Sequence, residues 1–210
     1  MIKMEKLTRK RIGIFGGSFD PIHVGHLMLA QAALEFCQLE RIFFLPAKPG
    51  PFKRHLPMTD AKTRLRMVEI AIQDNPKFEV SELEMSQSES SYSIDTIEAL
   101  KKQYPGAEIY FIIGADIITQ IEGWMTFEEL LREVIFLVAY RPSHSPRELE
   151  SQVQRLKAQY PGDIRLMDFP DIDLSSSYIR RLILSGASAR YLVPDPVLEY
   201  IKKMGIYANV

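Results

Sequence analysis

Apolar runs with the length and the β-branched or aromatic content of buried strands occur at residues 11–15, 41–45, 78–80, 109–113, 134–140 and 164–168. Between most of them the pattern changes to helical spacing. Residues 27–36 are apolar on most faces and are expected to be well buried. Residues 62–73 carry Leu65, Val68, Ile70 and Ile72, and residues 93–103 open on a serine and carry Ile94, Ile97 and Leu100. Residues 126–132 form a short helical stretch, and the polar stretch 146–159 is expected at the surface. This alternation predicts an α/β fold with a doubly wound parallel sheet. Such sheets bind their ligands beyond the carboxyl ends of the strands.

The tail departs from that rhythm. Residues 173–180, Asp-Leu-Ser-Ser-Ser-Tyr-Ile-Arg, read as the start of a helix with a serine cap. Residues 194–203 read as a last helix, with Pro194 in its first turn and Gly205 past its end. Together they make a small helical C-terminal part, about 174–210, of a single domain spanning 1–210. The proline-rich stretch 47–58 is too long for a plain turn, and long loops of that kind are often functional.

Composition narrows the classes. A chain of 210 residues with 46% hydrophobic and 25% charged residues is an ordinary globule. A net charge of −1 provides no global field to gather nucleic acid. The single cysteine, Cys37, excludes an internal disulfide and suits a reducing compartment. No apolar run approaches the length of a membrane span, and the basic N-terminal residues are followed by no apolar signal core. A cytoplasmic enzyme or binding protein, with no nucleic-acid or membrane partner, is the expectation; the oligomeric state stays open.

The chemistry concentrates in Gly16-Gly17-Ser18-Phe19-Asp20-Pro21-Ile22-His23-Val24-Gly25-His26. The glycines end a strand and the histidines begin a helix. Glycine lets backbone approach a ligand closely, and the first turn of a helix offers unpaired N–H groups at the positive end of a dipole. His23 and His26, three apart, share a face. Imidazole donors and amides then point at one spot, as a phosphate requires. Simple helix capping is the competing reading of the pair. A zinc site is not favoured, because the remaining candidates Cys37, His55 and His144 have no telling spacing. No P-loop and no Gly-x-Gly-x-x-Gly is present.

This run resembles the Gly-Gly-x-Phe-Asp-Pro-x-His-x-Gly-His signature of the nucleotidyltransferases with the His-x-Gly-His motif. Further family-like segments follow at Pro46 to Lys53, Trp124, Leu174 to Arg180 and Leu192-Val193-Pro194-Asp195, and Ser91-Tyr92-Ser93-Ile94-Asp95-Thr96 and Ile112-Ile113-Gly114-Ala115-Asp116 narrow the resemblance to the bacterial nicotinate-mononucleotide adenylyltransferases. It covers about residues 12–207.

The resemblance implies a Rossmann-like nucleotidyltransferase fold. The implied reaction joins nicotinate mononucleotide to the AMP moiety of ATP with release of pyrophosphate, a step of NAD biosynthesis, by direct attack without a covalent intermediate. Mg²⁺ would enter on the ATP phosphates, and no protein metal site is expected. By position, His23, His26, Lys53 and Arg180 would be catalytic. Gly16, Gly17, Ser18, Phe19, Gly114, Asp116, Ser176 and Ser177 would bind ATP, and Ser93, Trp124 and Met125 the mononucleotide. Trp124 is alternatively a core anchor and Asp116 a helix N-cap; Asp168, Asp171 and Asp173 could suggest a metal site but read better as a solvated loop. Phe52 stands where the family pattern before Lys53 has histidine. Two rivals are another enzyme of the superfamily, acting on phosphopantetheine or as a cytidylyltransferase, and a non-catalytic nucleotide sensor. The cytidylyltransferase tail Arg-x-x-Gly-Ile-Ser-Thr-Thr is absent, and both histidines and Arg180 are present.

Overall fold

The computed structural model describes residues 9–46, 58–81, 93–124, 126–140 and 146–207, with backbone alone for Ser93 and Pro146. Its strands are β1 (Arg11–Gly17), β2 (Arg41–Pro46), β3 (Phe78–Val80), β4 (Glu108–Gly114), β5 (Ile135–Tyr140) and β6 (Asp163–Asp168). They form one sheet in the order β3-β2-β1-β4-β5-β6, and every neighbouring pair is parallel. The strand order reverses between β1 and β4, so a crevice opens beyond their carboxyl ends.

The helices are α1 (Val24–Phe36), α2 (Ala61–Ile72), α3 (Ser93–Gln103), α4 (Ala115–Ile118), α5 (Phe127–Glu133), α6 (Pro146–Gln159), α7 (Ser176–Leu184) and α8 (Asp195–Lys203). Period-two alternation in the strands sorts the core onto two faces. Phe15, Phe44, Tyr110 and Ile112 meet Ala30 and Leu34 of α1, Met67 and Val68 of α2, Ile179 of α7 and Val197 and Ile201 of α8. Ile12, Ile14, Phe111 and Ile113 meet Ile97 of α3, Leu130 of α5 and Leu149 and Leu156 of α6. The small C-terminal helices thus pack on the same face as α1 and α2.

Two expectations shift. Helix α1 is not well buried throughout: Ala30, Ala33 and Leu34 are buried, but Met28 and Phe36 are exposed. A helix lying on a sheet presents one stripe to it, and its remaining apolar residues stay in water. Helix α7 starts at Ser176, three residues after Asp173, with Ser175 as its N-cap accepting from the Tyr178 N–H at 3.2 Å. Among the described residues no helix is long and apolar enough to cross a membrane.

Candidate active site

The ends of β1 and β4 and the start of α7 converge on one cavity of about 1200 Å³. Ser18, His23, His26, Gly114, Asp116, Ser176, Ser177 and Arg180 all line it. Residues as far apart as 18 and 180 in the chain therefore face one volume, at the crevice where the strand order reverses.

His23 is the N-cap of α1 and His26 its third residue. The His23 N–H donates to Nδ1 of His26 at 3.2 Å, and the His26 N–H donates to the His23 carbonyl at 3.0 Å. The two rings stack with centroids 3.6 Å apart and 20° between planes. Because Nδ1 of His26 accepts, this hydrogen bond assigns the proton of that ring to Nε2. Nδ1 of His23 is buried without a partner. Gly25 makes the arrangement possible: a Cβ there would lie 3.1 Å from His23 Nδ1 and 3.2 Å from Cε1, crowding the ring.

Burial lowers the His23 imidazole to about 4, and burial together with the neighbouring His23 holds His26 well below its ordinary value. In the ligand-free protein both rings are therefore neutral at pH 7, each with one N–H to give. This bears on stability. An unfolded histidine titrates near 6.5, so between about 6.5 and about 4 the unfolded chain binds more protons than the folded one. Stability should fall as pH falls through that window, by about 3 kcal/mol for His23 alone at the acid end. Thermal melts of the ligand-free protein check this: a steep loss is expected in the natural chain and a flatter one in His23→Asn. Parallel profiles for the two would contradict it.

The glycine-rich run has a second constraint. Phe19 is fully buried at φ 47°, and its ring packs edge-on to Phe15 (5.5 Å) and His26 (5.0 Å). A left-handed φ is costly for a bulky side chain, so packing must hold it. A Cβ on Gly17 would come within 2.9 Å of the Phe19 ring, which explains that glycine. A Cβ on Gly16 would meet only Phe111, at 3.9 Å, so packing does not require glycine there. The side chain of Phe19 supports the histidines from below and is itself shielded from the cavity.

Donors at the helix starts are partly committed. The Val24 N–H, in the first turn of α1, donates to the Leu192 carbonyl at 3.0 Å. The Ser176 hydroxyl donates to the Pro21 carbonyl at 2.9 Å. Arg180 donates through Nη1 to the Asp20 carbonyl at 2.7 Å and through Nη2 to the Ser177 hydroxyl at 3.2 Å. A guanidinium carries five N–H groups, so Arg180 keeps donors for a phosphate after both bonds.

Trp124 is elsewhere. Its ring packs edge-on to Phe111 at 6.3 Å and faces a separate hollow with Glu122, Thr126 and Tyr160. Met125 and the proline-rich stretch with Phe52 and Lys53 lie outside the described residues, as does the side chain of Ser93. Among the described residues no group of three or more His, Cys, Asp or Glu could hold a metal ion; the carboxylates that line the cavity are Asp20, Asp116, Glu148 and Asp173.

One residue escaped the sequence reading. Arg64 of α2 is 2% exposed, and it donates to the Ser18 carbonyl at 2.7 Å and the Thr59 carbonyl at 3.0 Å. Its signal was position: it precedes Val68 by four and Ile72 by eight, on the buried stripe of the helix.

The chain is similar to proteins of one family. A family model described as Cytidylyltransferase-like matches residues 14–182. A relative from Symbiobacterium thermophilum, bearing the name "Probable nicotinate-nucleotide adenylyltransferase", is 40% identical over 94% of this chain and 95% of its own. One from Moorella thermoacetica with the same name is 39% identical over 97% and 95%. Among solved structures, the nicotinic acid mononucleotide adenylyltransferase of Plasmodium falciparum complexed with NaAD superposes with a TM-score of 0.77 at 25% identity, covering 95% of this chain and 98% of that one.

Proposed function

Because the chain belongs to the nicotinate-nucleotide adenylyltransferase family, within the cytidylyltransferase-like nucleotidyltransferases, we propose that it transfers the adenylyl group of ATP to nicotinate mononucleotide. Nicotinate adenine dinucleotide and pyrophosphate are the products. The observation that carries this reading is the single cavity shared by His23, His26 and Arg180 at the β1–β4 crevice.

The chemistry follows from the charges. The nucleophile is a phosphate oxygen with a second pKa near 6, so it is already deprotonated at pH 7 and needs no general base. The demand on the protein is to align two mutually repelling anions and to stabilise charge at the α-phosphoryl group and the departing pyrophosphate. Nε2–H of His26, the ring N–H of His23 and the free donors of Arg180 supply that stabilisation. A triphosphate beside the stacked imidazoles raises their proton affinity, because a nearby negative charge favours the cationic form. Their positive charge thus grows only when ATP arrives. Ser18, Gly114, Asp116 and Ser177 line the nucleotide's path, with Gly16 and Gly17 as the backbone floor. Ser176 and Phe19 support this surface through the Pro21 carbonyl and the His26 ring. Mg²⁺ supplies further charge neutralisation when bound, retaining phosphate oxygens and waters as its main ligands. Lys53 adds a cation from the proline-rich stretch.

The pyridine ring of the mononucleotide is assigned to the Trp124 side of the sheet, with its phosphate directed into the cavity and backbone donors of Ser93 and Met125 proposed for its carboxylate. Charge-assisted bonds to a carboxylate favour the acid over the amide. Trp124→Ala should raise KM for the mononucleotide about tenfold while leaving KM for ATP within twofold, since base–aromatic stacking is worth about 1–3 kcal/mol. Equal changes in both constants would return Trp124 to the core.

The test is pyrophosphate release from ATP and Mg²⁺ with three acceptors in turn. Nicotinate mononucleotide should react fastest, nicotinamide mononucleotide more slowly, and phosphopantetheine not at all. A preference for phosphopantetheine would move the chain to the rival enzyme class, and silence with all three would leave a nucleotide sensor.

A further inference from the structure

One lining residue of the cavity, Asp20, is held from behind by residues that do not line it. Asp20, the acidic residue of the glycine–histidine run, is 2% exposed. Its Oδ1 accepts a hydrogen bond from the phenol of Tyr207, which lies 187 residues further along the chain. Its Oδ2 accepts from the Thr59 N–H at 3.2 Å and lies 3.9 Å from Nη1 of Arg180, whose stronger bond is to the Asp20 carbonyl. Thr59 is tied in turn to Arg64 through its carbonyl, and Arg64 reaches across to the Ser18 carbonyl.

The last described residue therefore closes a ring of polar contacts around the motif. Gly205 and Tyr207, both at positive φ, turn the chain after α8 back toward Asp20. Burial, and then the bond to Asp20, keeps the Tyr207 phenol protonated well above its ordinary range, so it remains a donor wherever the enzyme works. A carboxylate buried this deeply is costly unless hydrogen-bonded. Removing one partner frees Asp20 to draw more of Arg180 toward itself, away from the cavity.

We propose that Tyr207 and Arg64 are positioning residues of the active site, holding Asp20 and Ser18 so that the glycine-rich loop and Arg180 present their remaining donors to one triphosphate. This rests on the adenylyl-transfer reading above for the identity of the ligand. Neither side chain lines the cavity; their effect passes through Asp20, Ser18 and Arg180.

The decisive variant is Tyr207→Phe, which removes one oxygen and keeps the ring. Calorimetric titration with ATP alone and steady-state kinetics with both substrates are the readouts. Kd and KM for ATP should rise roughly tenfold, the weight of one hydrogen bond to a charged group, with KM for nicotinate mononucleotide within twofold. Combined with Arg180→Lys, the loss should be smaller than the product of the two single losses, because both variants act through one residue, Asp20. Arg64→Lys should repeat the ATP-selective pattern; should it fail to fold, Tyr207→Phe decides. Unchanged ATP constants, or equal rises in both KM values with a lower Tm, would overturn the proposal and leave Tyr207 as a fold support. A natural chain that binds ATP but makes no dinucleotide would remove the reaction assigned above, and the ATP titrations would still test the positioning.

Discussion

His26→Asn is expected to lower kcat by about 10²–10³-fold in a protein that still folds. Removal of a single transition-state donor typically costs that much. The choice of asparagine separates two duties of the residue. Nδ1 of His26 accepts from the His23 N–H in the first turn of α1, which leaves Nε2–H as the donor assigned to the phosphates. An amide oxygen at this third helical position can still accept from the His23 N–H, as in a capping box, but asparagine cannot reproduce the imidazole donor or the 3.6 Å stack on His23. His26→Ala removes both duties, so it should lose the same rate and about 1 kcal/mol more stability, the weight of the lost bond from the His23 N–H. Thermal melts and kcat measured on the two variants check the split. Near-natural turnover in His26→Asn would show that the pair only caps the helix.

The second large effect belongs to Arg180. Arg180→Ala should lower kcat/KM for ATP by roughly 10²-fold, since a charged hydrogen bond is worth about 1.5–3 kcal/mol and 1.4 kcal/mol is a factor of ten. Arg180→Lys should recover only part of it. A lysine preserves the charge, but its point-like ammonium cannot bond the Asp20 carbonyl and the Ser177 hydroxyl and still grip a phosphate in two places. Titration with ATP alone separates binding from turnover. If lysine restores full activity, bulk charge rather than the guanidinium fork serves the reaction.

Much of this was legible in the chain. Strands β1 to β6 fall within two residues of the apolar runs, because buried parallel strands are short and continuously apolar. The histidines fall on the first turn of α1 and Arg180 on α7, as the strand–glycine–helix spacing and the serine cap required. Contacts between distant segments were not legible. Nothing in the order of residues tells that Leu192 occupies the Val24 N–H, that Pro21 occupies the Ser176 hydroxyl, or that Tyr207 reaches Asp20. The neutrality of the imidazoles arises from burial and, for His26, from the neighbouring His23, which only the packed site creates. Phe19 read as a ligand contact but is buried, because the φ 47° turn folds its ring inward over Gly17. Arg64 gave no functional signal because its partners are backbone carbonyls outside its own helix.

The central claim is that the cavity aligns two anions for one direct displacement at the α-phosphorus, with no group of the protein bonded to it along the way. The stereochemical course tests this in a single measurement. ATP carrying sulfur at a chiral α-phosphorus, incubated with nicotinate mononucleotide, should give a dinucleotide with that centre inverted, as one in-line displacement demands. Retention would mean two displacements and an adenylylated protein, and would contradict the account.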